Sequence, residues 1–212
     1  MKKKIGLMSI AIGLLVVSII GGSIAYFRAD TDAKNQITAG NLGVELRLED
    51  VDNLENIINN GLEVSGGLPG DVYDYPLYAY NDGDFDSYIR ITLTKYWENQ
   101  NGKKNFDADA SKILLGLNKN DWIVDESDNN GEVVYCYYRK PVSVNGSTSH
   151  VVDHIQIANL TNEDQNLYST LQVKVDVEVD AIQKVAAQDA MLAEWGLDVS
   201  FDNTGMIQEI VE

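Results

Sequence analysis

The stretch LQVKVDVEV, Leu171 to Val179, alternates without a break. In an extended chain, Leu171, Val173, Val175, Val177 and Val179 fall on one face and Gln172, Lys174, Asp176 and Glu178 on the other. That two-residue period marks a strand with one buried and one wet face. A slip of one residue would carry every aliphatic side chain into water, so the register is firmly set.

The same period recurs on the N-terminal side. Leu42, Val44, Leu46 and Leu48 alternate with Gly43, Glu45 and Arg47. Residues 72–80, VYDYPLYAY, read as extended, with Pro76 marking an edge or a bulge because it cannot donate to a ladder. Ile89, Ile91 and Leu93 face one way, while Tyr88, Arg90, Thr92 and Thr94 face the other. Further strands are expected over 132–139 and around 151–158. Turn signals separate these runs: LPGD at 68–71, NDGDFD at 81–86 and VNGS at 144–147.

The region 98–131 is the least regular. Its apolar piece ILLGL, 113–117, reads as helical, with a short WIV run at 122–124. After the opening strand, AIQKVAAQDAMLAEWG, 181–196, suits a helix stopped by Gly196, and 197–211 a return to the sheet. About seven short strands with few helices predict an all-β fold, a single β-sandwich with one or two short helices. Jelly-roll-like and immunoglobulin-like connectivities both fit.

The N-terminus is of another kind. Lys2, Lys3 and Lys4 precede an apolar run from Ile5 to Ile20, and Ser23 and Ala25 place small side chains at the −3 and −1 positions of a signal peptidase site. Residues 1–25 are therefore expected to be a signal peptide cleaved after Ala25. The alternative is a retained anchor, because no charge lies between Lys4 and Arg28 and a helix rising ~1.5 Å per residue over that interval could cross ~30 Å of hydrocarbon. Gly21, Gly22 and Ser23 favour the extended chain that cleavage needs. Both readings put the rest outside the cytoplasm, because the lysines orient the apolar run. The expected organisation is thus a signal peptide, a mobile segment over 26–36 and a sandwich domain over 37–212.

The chain carries 33 acidic residues against 16 basic ones, three of the latter in the leader. So acidic a surface argues against nucleic acid and anionic lipid as partners. It also predicts that self-assembly, if driven by contacts between copies, is promoted by salt, divalent cations or acid, which screen or remove the repulsion. Light scattering across a pH and salt series measures this; a flat response contradicts it. Cys136, the only cysteine, excludes an intramolecular disulfide and reads as a buried inert thiol in VVYCYYR.

Catalytic chemistry has few candidates. Asp82, Asp84 and Asp86 alternate through NDGDFD like the start of a Ca²⁺ loop, but the sixth and twelfth positions are Ser87 and Leu93 where an EF-hand has glycine and glutamate. They stay as a weak calcium candidate beside the plainer reading of a solvated turn, as does DESDNNGE at 125–132. His150 and His154, four apart on a strand, would lie about 13 Å from each other, too far to share a zinc ion. No HExxH or GxSxG motif occurs, and no other cofactor is suggested, so an enzyme is not expected. Tyr73, Tyr75, Tyr78, Tyr80 and Tyr88 read as cross-strand packing or as a carbohydrate platform, and Trp97, Trp122 and Trp195 as core or loop anchors.

The order of motifs resembles the TasA/camelysin-like proteins of Gram-positive bacteria, whose signal peptides are handled by a dedicated SipW-type peptidase. The basic start and apolar run lead to GGSIAYF; the aromatic Phe27 follows the junction, then a polar stretch from Arg28 to Gln36, then Ile37-Thr38-Ala39-Gly40-Asn41-Leu42. Pro69, Gly70, Asp71, Asn81 and Gly83 match the family's "PGD…N-x-G" strand pair, and VEVDAIQ with Trp195-Gly196 is similar to clostridial-type members. The resemblance implies a jelly-roll-like secreted protein that builds biofilm matrix fibres at the cell surface, a head-to-tail homo-oligomer with related fibre or accessory proteins as further partners. It also implies that the freed N-terminal segment of one subunit adds as a strand to the next, which would make Tyr26, Phe27 and Ala29 candidate donor-strand residues. Two alternatives are a non-polymerising adhesin or fibre accessory module and, less favoured, a secreted metallopeptidase. The sequence supplies no recognisable metal motif for the last, whose mark would be chelator-sensitive casein cleavage by pure protein.

Overall fold

The alternating stretch opens a strand that runs on past it to Gln183. The computed structural model describes residues 26–27, 42–49, 55–57, 61–128 and 130–211. In chain order these form β1 (Tyr26–Phe27), β2 (Val44–Glu49), β3 (Glu55–Ile57), β4 (Leu62–Val64), β5 (Val72–Asn81), β6 (Ser87–Asn99), β7 (Lys103–Lys104), β8 (Ile113–Leu117), β9 (Trp122–Asp125), β10 (Val133–Tyr138), β11 (Val152–Ile157), α1 (Asn162–Tyr168), β12 (Gln172–Gln183), α2 (Ala187–Trp195), β13 (Asp198–Phe201) and β14 (Ile207–Val211).

Two antiparallel sheets make the all-β sandwich. One runs β1-β12-β6-β10-β9, with β4 also on β12 and β7 on β6; the other runs β3-β2-β5-β11-β8. The chain changes sheet repeatedly, from β4 to β5, β5 to β6, β7 to β8, β8 to β9, β10 to β11 and β11 to β12 among other places, so that many neighbours within a sheet are distant in sequence. Such crossing occurs in jelly-roll-like and immunoglobulin-like sandwiches alike. β12 and β6 pair along their length, from Gln172 opposite Glu98 to Gln183 opposite Ser87. Their inward residues, Val173, Val175 and Val179 with Ile89, Ile91 and Leu93, meet Leu46, Leu77, Ala79, Ile113 and Ile155 from the facing sheet. Lys95 continues the inward row of β6, and its Nζ donates to the Ile113 carbonyl at 2.7 Å, tying the sheets together; burial lowers its pKa. Pro76 sits where the β5–β11 ladder slips, the bulge its missing donor requires.

The sandwich has two poles. β12 begins at the upper pole, shared by the loop 65–71, the segment 105–112 and α1; it ends at the lower pole, shared by the turn 82–86, the loop 139–147 and the turn 184–186.

Three expectations change. ILLGL is strand β8, not helix: Ile113, Leu115 and Leu117 pack into the core while Leu114 stays exposed, and β11 supplies the ladder. The helix expected over 181–196 is confined to α2, because Ala181, Ile182 and Gln183 complete β12 and Ala186 takes a left-handed conformation (φ 58°) that begins a new element. Gly196, also left-handed, stops it as expected. The C-terminal stretch joins neither sheet. β13 and β14 pair with each other and, with α2, cover the lower half of the outer face of the β12 sheet. Beneath them lies a second core of Tyr88, Tyr137, Ile182, Met191, Trp195, Val199 and Ile207.

Candidate functional site

The edge of β12 away from β6 is only partly taken up. At the upper pole β4 covers it, Val64 opposite Val173 and Leu62 opposite Val175. At the lower pole β1 covers it, with Tyr26 opposite Ile182 and Phe27 opposite Ala181. Between them, on the side away from β6, no other described strand pairs with the five residues Asp176 to Asp180. The outer side of a sheet's last strand is, in general, a place where a further strand can add.

Both flanks of this edge are fixed in place. Lys174 on β12 pairs with Glu63 on β4, and the hydrogen bond from Lys174 holds the Glu63 carboxyl below its usual value. Tyr75, reaching from the other sheet, donates to the Glu63 carbonyl. Gly61 opens β4 with φ 73°, and a Cβ there would stand 2.4 Å from the Val175 carbonyl oxygen, so only glycine lets the backbones approach. At the other flank, Asp180 is 2% exposed. Its Oδ2 accepts from Arg90 Nη2 at 2.6 Å and Nε at 3.1 Å, and the guanidinium lies 5.2 Å from the Trp195 ring.

Sequence-derived candidates fall into place unevenly. Tyr26 and Phe27 are on the β12 edge; Ser23, Ala25 and Ala29 lie outside the described residues. The matched motif residues are turn architecture at the two ends of β5. Asp71 Oδ2 accepts from the Leu68 N–H at 3.1 Å and the Tyr73 hydroxyl at 3.0 Å, closing LPGD. Asn81, 1% exposed, donates through Nδ2 to the Phe85 and Val142 carbonyls, both at 2.9 Å, and accepts from the Gly83 N–H.

Asp82, Asp84 and Asp86 do not converge. Asp82 packs over Gly43 beside Glu45, and partial burial, then the Glu45 charge, raises its pKa. Asp86 instead faces Lys184 at 3.8 Å. Among the described residues no three His, Cys, Asp or Glu side chains gather as a metal site. The histidines hold different partners: His150 meets Glu49 at 2.8 Å and Asp153 at 3.4 Å, while the His154 ring lies against Gly116.

The tyrosines form no single platform, because they divide between faces. Tyr73 and Tyr75 pack on the main core, Tyr88 lies in the second core, and Tyr80 carries the Arg47 guanidinium 3.7 Å from its ring centroid. Trp97, Trp122 and Trp195 are all buried. Burial pushes the Cys136 thiol up to about 12, which leaves it protonated and inert at neutral pH. The five-residue edge and the Arg90–Asp180 pair were not foreseen. An arginine within YIRITL and an aspartate closing VEVD, each inside an otherwise apolar or neutral strand, are the signal that could have paired them. No protein-family profile, curated protein or solved structure matches the chain.

Proposed function

We propose that the chain is a secreted structural protein whose copies assemble into extracellular matrix fibres, the N-terminal segment of one subunit adding to the β12 edge of the next. The observation that carries this reading is the seating of Tyr26 and Phe27 on β12 immediately beside the five-residue edge. A strand continuing that antiparallel register would set Ala29 opposite Val179 and reach Asp176 with residue 32. The backbone groups that hold β1 within one chain can equally hold the same segment from a neighbour, and a contact of that sort does not close on itself, so it propagates. The motif order resembling TasA/camelysin-like proteins supports the same reading.

The second reading draws on the same pairing. A chain whose own β1 occupies its own edge is a non-polymerising accessory module, and β1 is seated that way here. Negative-stain electron microscopy of the chain beginning at Tyr26, beside one beginning at Ile37, separates the two. Strand donation gives filaments from the first and monomers from the second. Filaments from both rule out the N-terminal segment as the link, and none from either assigns the chain to the accessory class.

A further inference from the structure

The end of the chain forms a layer of its own. β12 stops at Gln183, α2 starts at Ala187, and the three exposed residues between them, Lys184, Val185 and Ala186, are the connection. Among the described residues, no side chain of α2, β13 or β14 enters the main core, and β13 and β14 pair only with each other. The two sheets therefore close their shared core without this layer.

What holds the layer is a fitted joint. Tyr88, Tyr137 and Ile182 on the sheet meet Met191, Trp195 and Ile207 in the second core. The Tyr88 ring lies 5.2 Å from that of Phe201, and the Tyr137 ring 5.8 Å from that of Trp195. The Ile207 N–H donates to the Arg139 carbonyl at 2.8 Å, and the Tyr88 hydroxyl donates to the Gly205 carbonyl. None of these contacts depends on layer and sheet belonging to one chain. A second copy carries the identical layer, so the outer face of the sheet has two occupants of equal fit, and the connection alone decides between them.

That connection is strained. Ala186 sits at φ 58° and ψ 30°, where an L side chain crowds the following carbonyl and glycine is the residue that fits without penalty. It also stands at the N-cap of α2 with no side-chain bond to the free N–H groups of the first turn. Val185 beside it is 78% exposed, so it adds little packing to the turn. Short connections under strain invite the exchange of a terminal element between copies. Straightened, these three residues relax to the extended conformation of the strand they follow. Opening the joint also releases a buried donor, because Trp195 Nε1 has no hydrogen-bond partner there among the described residues and gains water when exposed.

We infer that two copies exchange their C-terminal layers, α2, β13 and β14 of each covering the β12 sheet of the other. The exchange is reciprocal, so it closes at two, and it uses neither the N-terminal segment nor the free edge of β12. It is separate from the fibre reading and goes beyond it.

The test concentrates the chain beginning at Tyr26 in urea just below its unfolding midpoint and returns it to buffer. Filaments are cleared by centrifugation, and the remainder is sized by gel filtration with light scattering. Exchange gives a dimer in which the Ile207 amide is as protected from hydrogen exchange as in the monomer, since the neighbouring copy supplies the same carbonyl. Ala186→Gly, which relieves the turn, is expected to lower the dimer-to-monomer ratio about tenfold. Ala186→Val, which sets a branched side chain at the same φ, is expected to raise it by a similar factor. The position is exposed, so neither change endangers the fold. A ratio indifferent to both changes assigns the contact to another surface and overturns exchange. A dimer with Ile207 unprotected overturns it too, because the layer then detaches without being received, as does a chain that returns wholly to monomer. Each of these results leaves strand donation standing, which is decided by filaments and by deletion of 26–36.

Discussion

Replacing Asp180 with alanine is expected to cost about 3 kcal/mol of stability, a large share of the ~5–15 kcal/mol that holds a domain folded. Asp180 is buried between β12, β6 and the layer formed by α2, and its carboxylate takes two hydrogen bonds from Arg90, whose side chain is 16% exposed. Removing the acid leaves a guanidinium enclosed by Trp195, Tyr135 and Tyr137 without its charge partner. The cost belongs to the stranded charge, not to the pair itself, because the desolvation of two ions consumes most of what their attraction returns. The double variant Arg90→Met with Asp180→Leu, which removes both charges and keeps apolar volume, is therefore expected within about 1 kcal/mol of the parent. Urea unfolding of the three chains decides the matter. A single variant as stable as the parent, or a double variant as damaged as the single, would show that the pair does not govern the joint between β12 and its outer layer.

How much of this was legible follows from where the burial signal is strong. β12 and β6 announce themselves because a sheet with one face on a core sorts side chains by parity, and Val173, Val175 and Val179 obey that over their whole span. ILLGL misled because a short apolar run carries no period of its own. Only the position of Leu114, exposed between two core residues, separates strand from helix, and that position exists only in the fold. α1 was missed for the opposite reason. Its buried anchor, Tyr168, packs edge-on against Trp97, and the run NEDQNLY carries too little apolar content to show periodicity, although Thr161 caps it through Asp164.

The candidate site divides in the same way. Tyr26 and Phe27 stood out as aromatics after a small-residue junction, but their pairing with β12 of the same chain was not legible. β12 has room for that pairing because β4 covers only its first residues, and LEV at 62–64 is too short a run to be seen in a sequence.

That dependence on β4 gives the last expected result. Gly61→Ala is expected to destabilise the protein by about 2–4 kcal/mol, whereas Gly66→Ala, five residues on, is expected to cost about 1 kcal/mol. Both glycines have left-handed φ, 73° and 70°, so both substitutions carry the same backbone strain. The difference is contact. At Gly66 an added Cβ meets nothing within 4 Å, and at Gly61 it meets the Val175 carbonyl oxygen at 2.4 Å, a backbone atom that cannot rotate aside. β4 must then swing away from β12, which breaks the ladder of Leu62 and Val64 and the Glu63–Lys174 pair, and uncovers Val173 to Val175. Loss of β4 exposes Val173 to Val175 for pairing with a further strand, so Gly61→Ala is also expected to associate faster than Gly66→Ala at equal concentration. Thermal melts and light scattering on the two chains test both halves. Equal destabilisation would mean that β4 yields at no cost. A destabilised Gly61→Ala chain that associates no faster would mean that the β12 edge is not where copies meet.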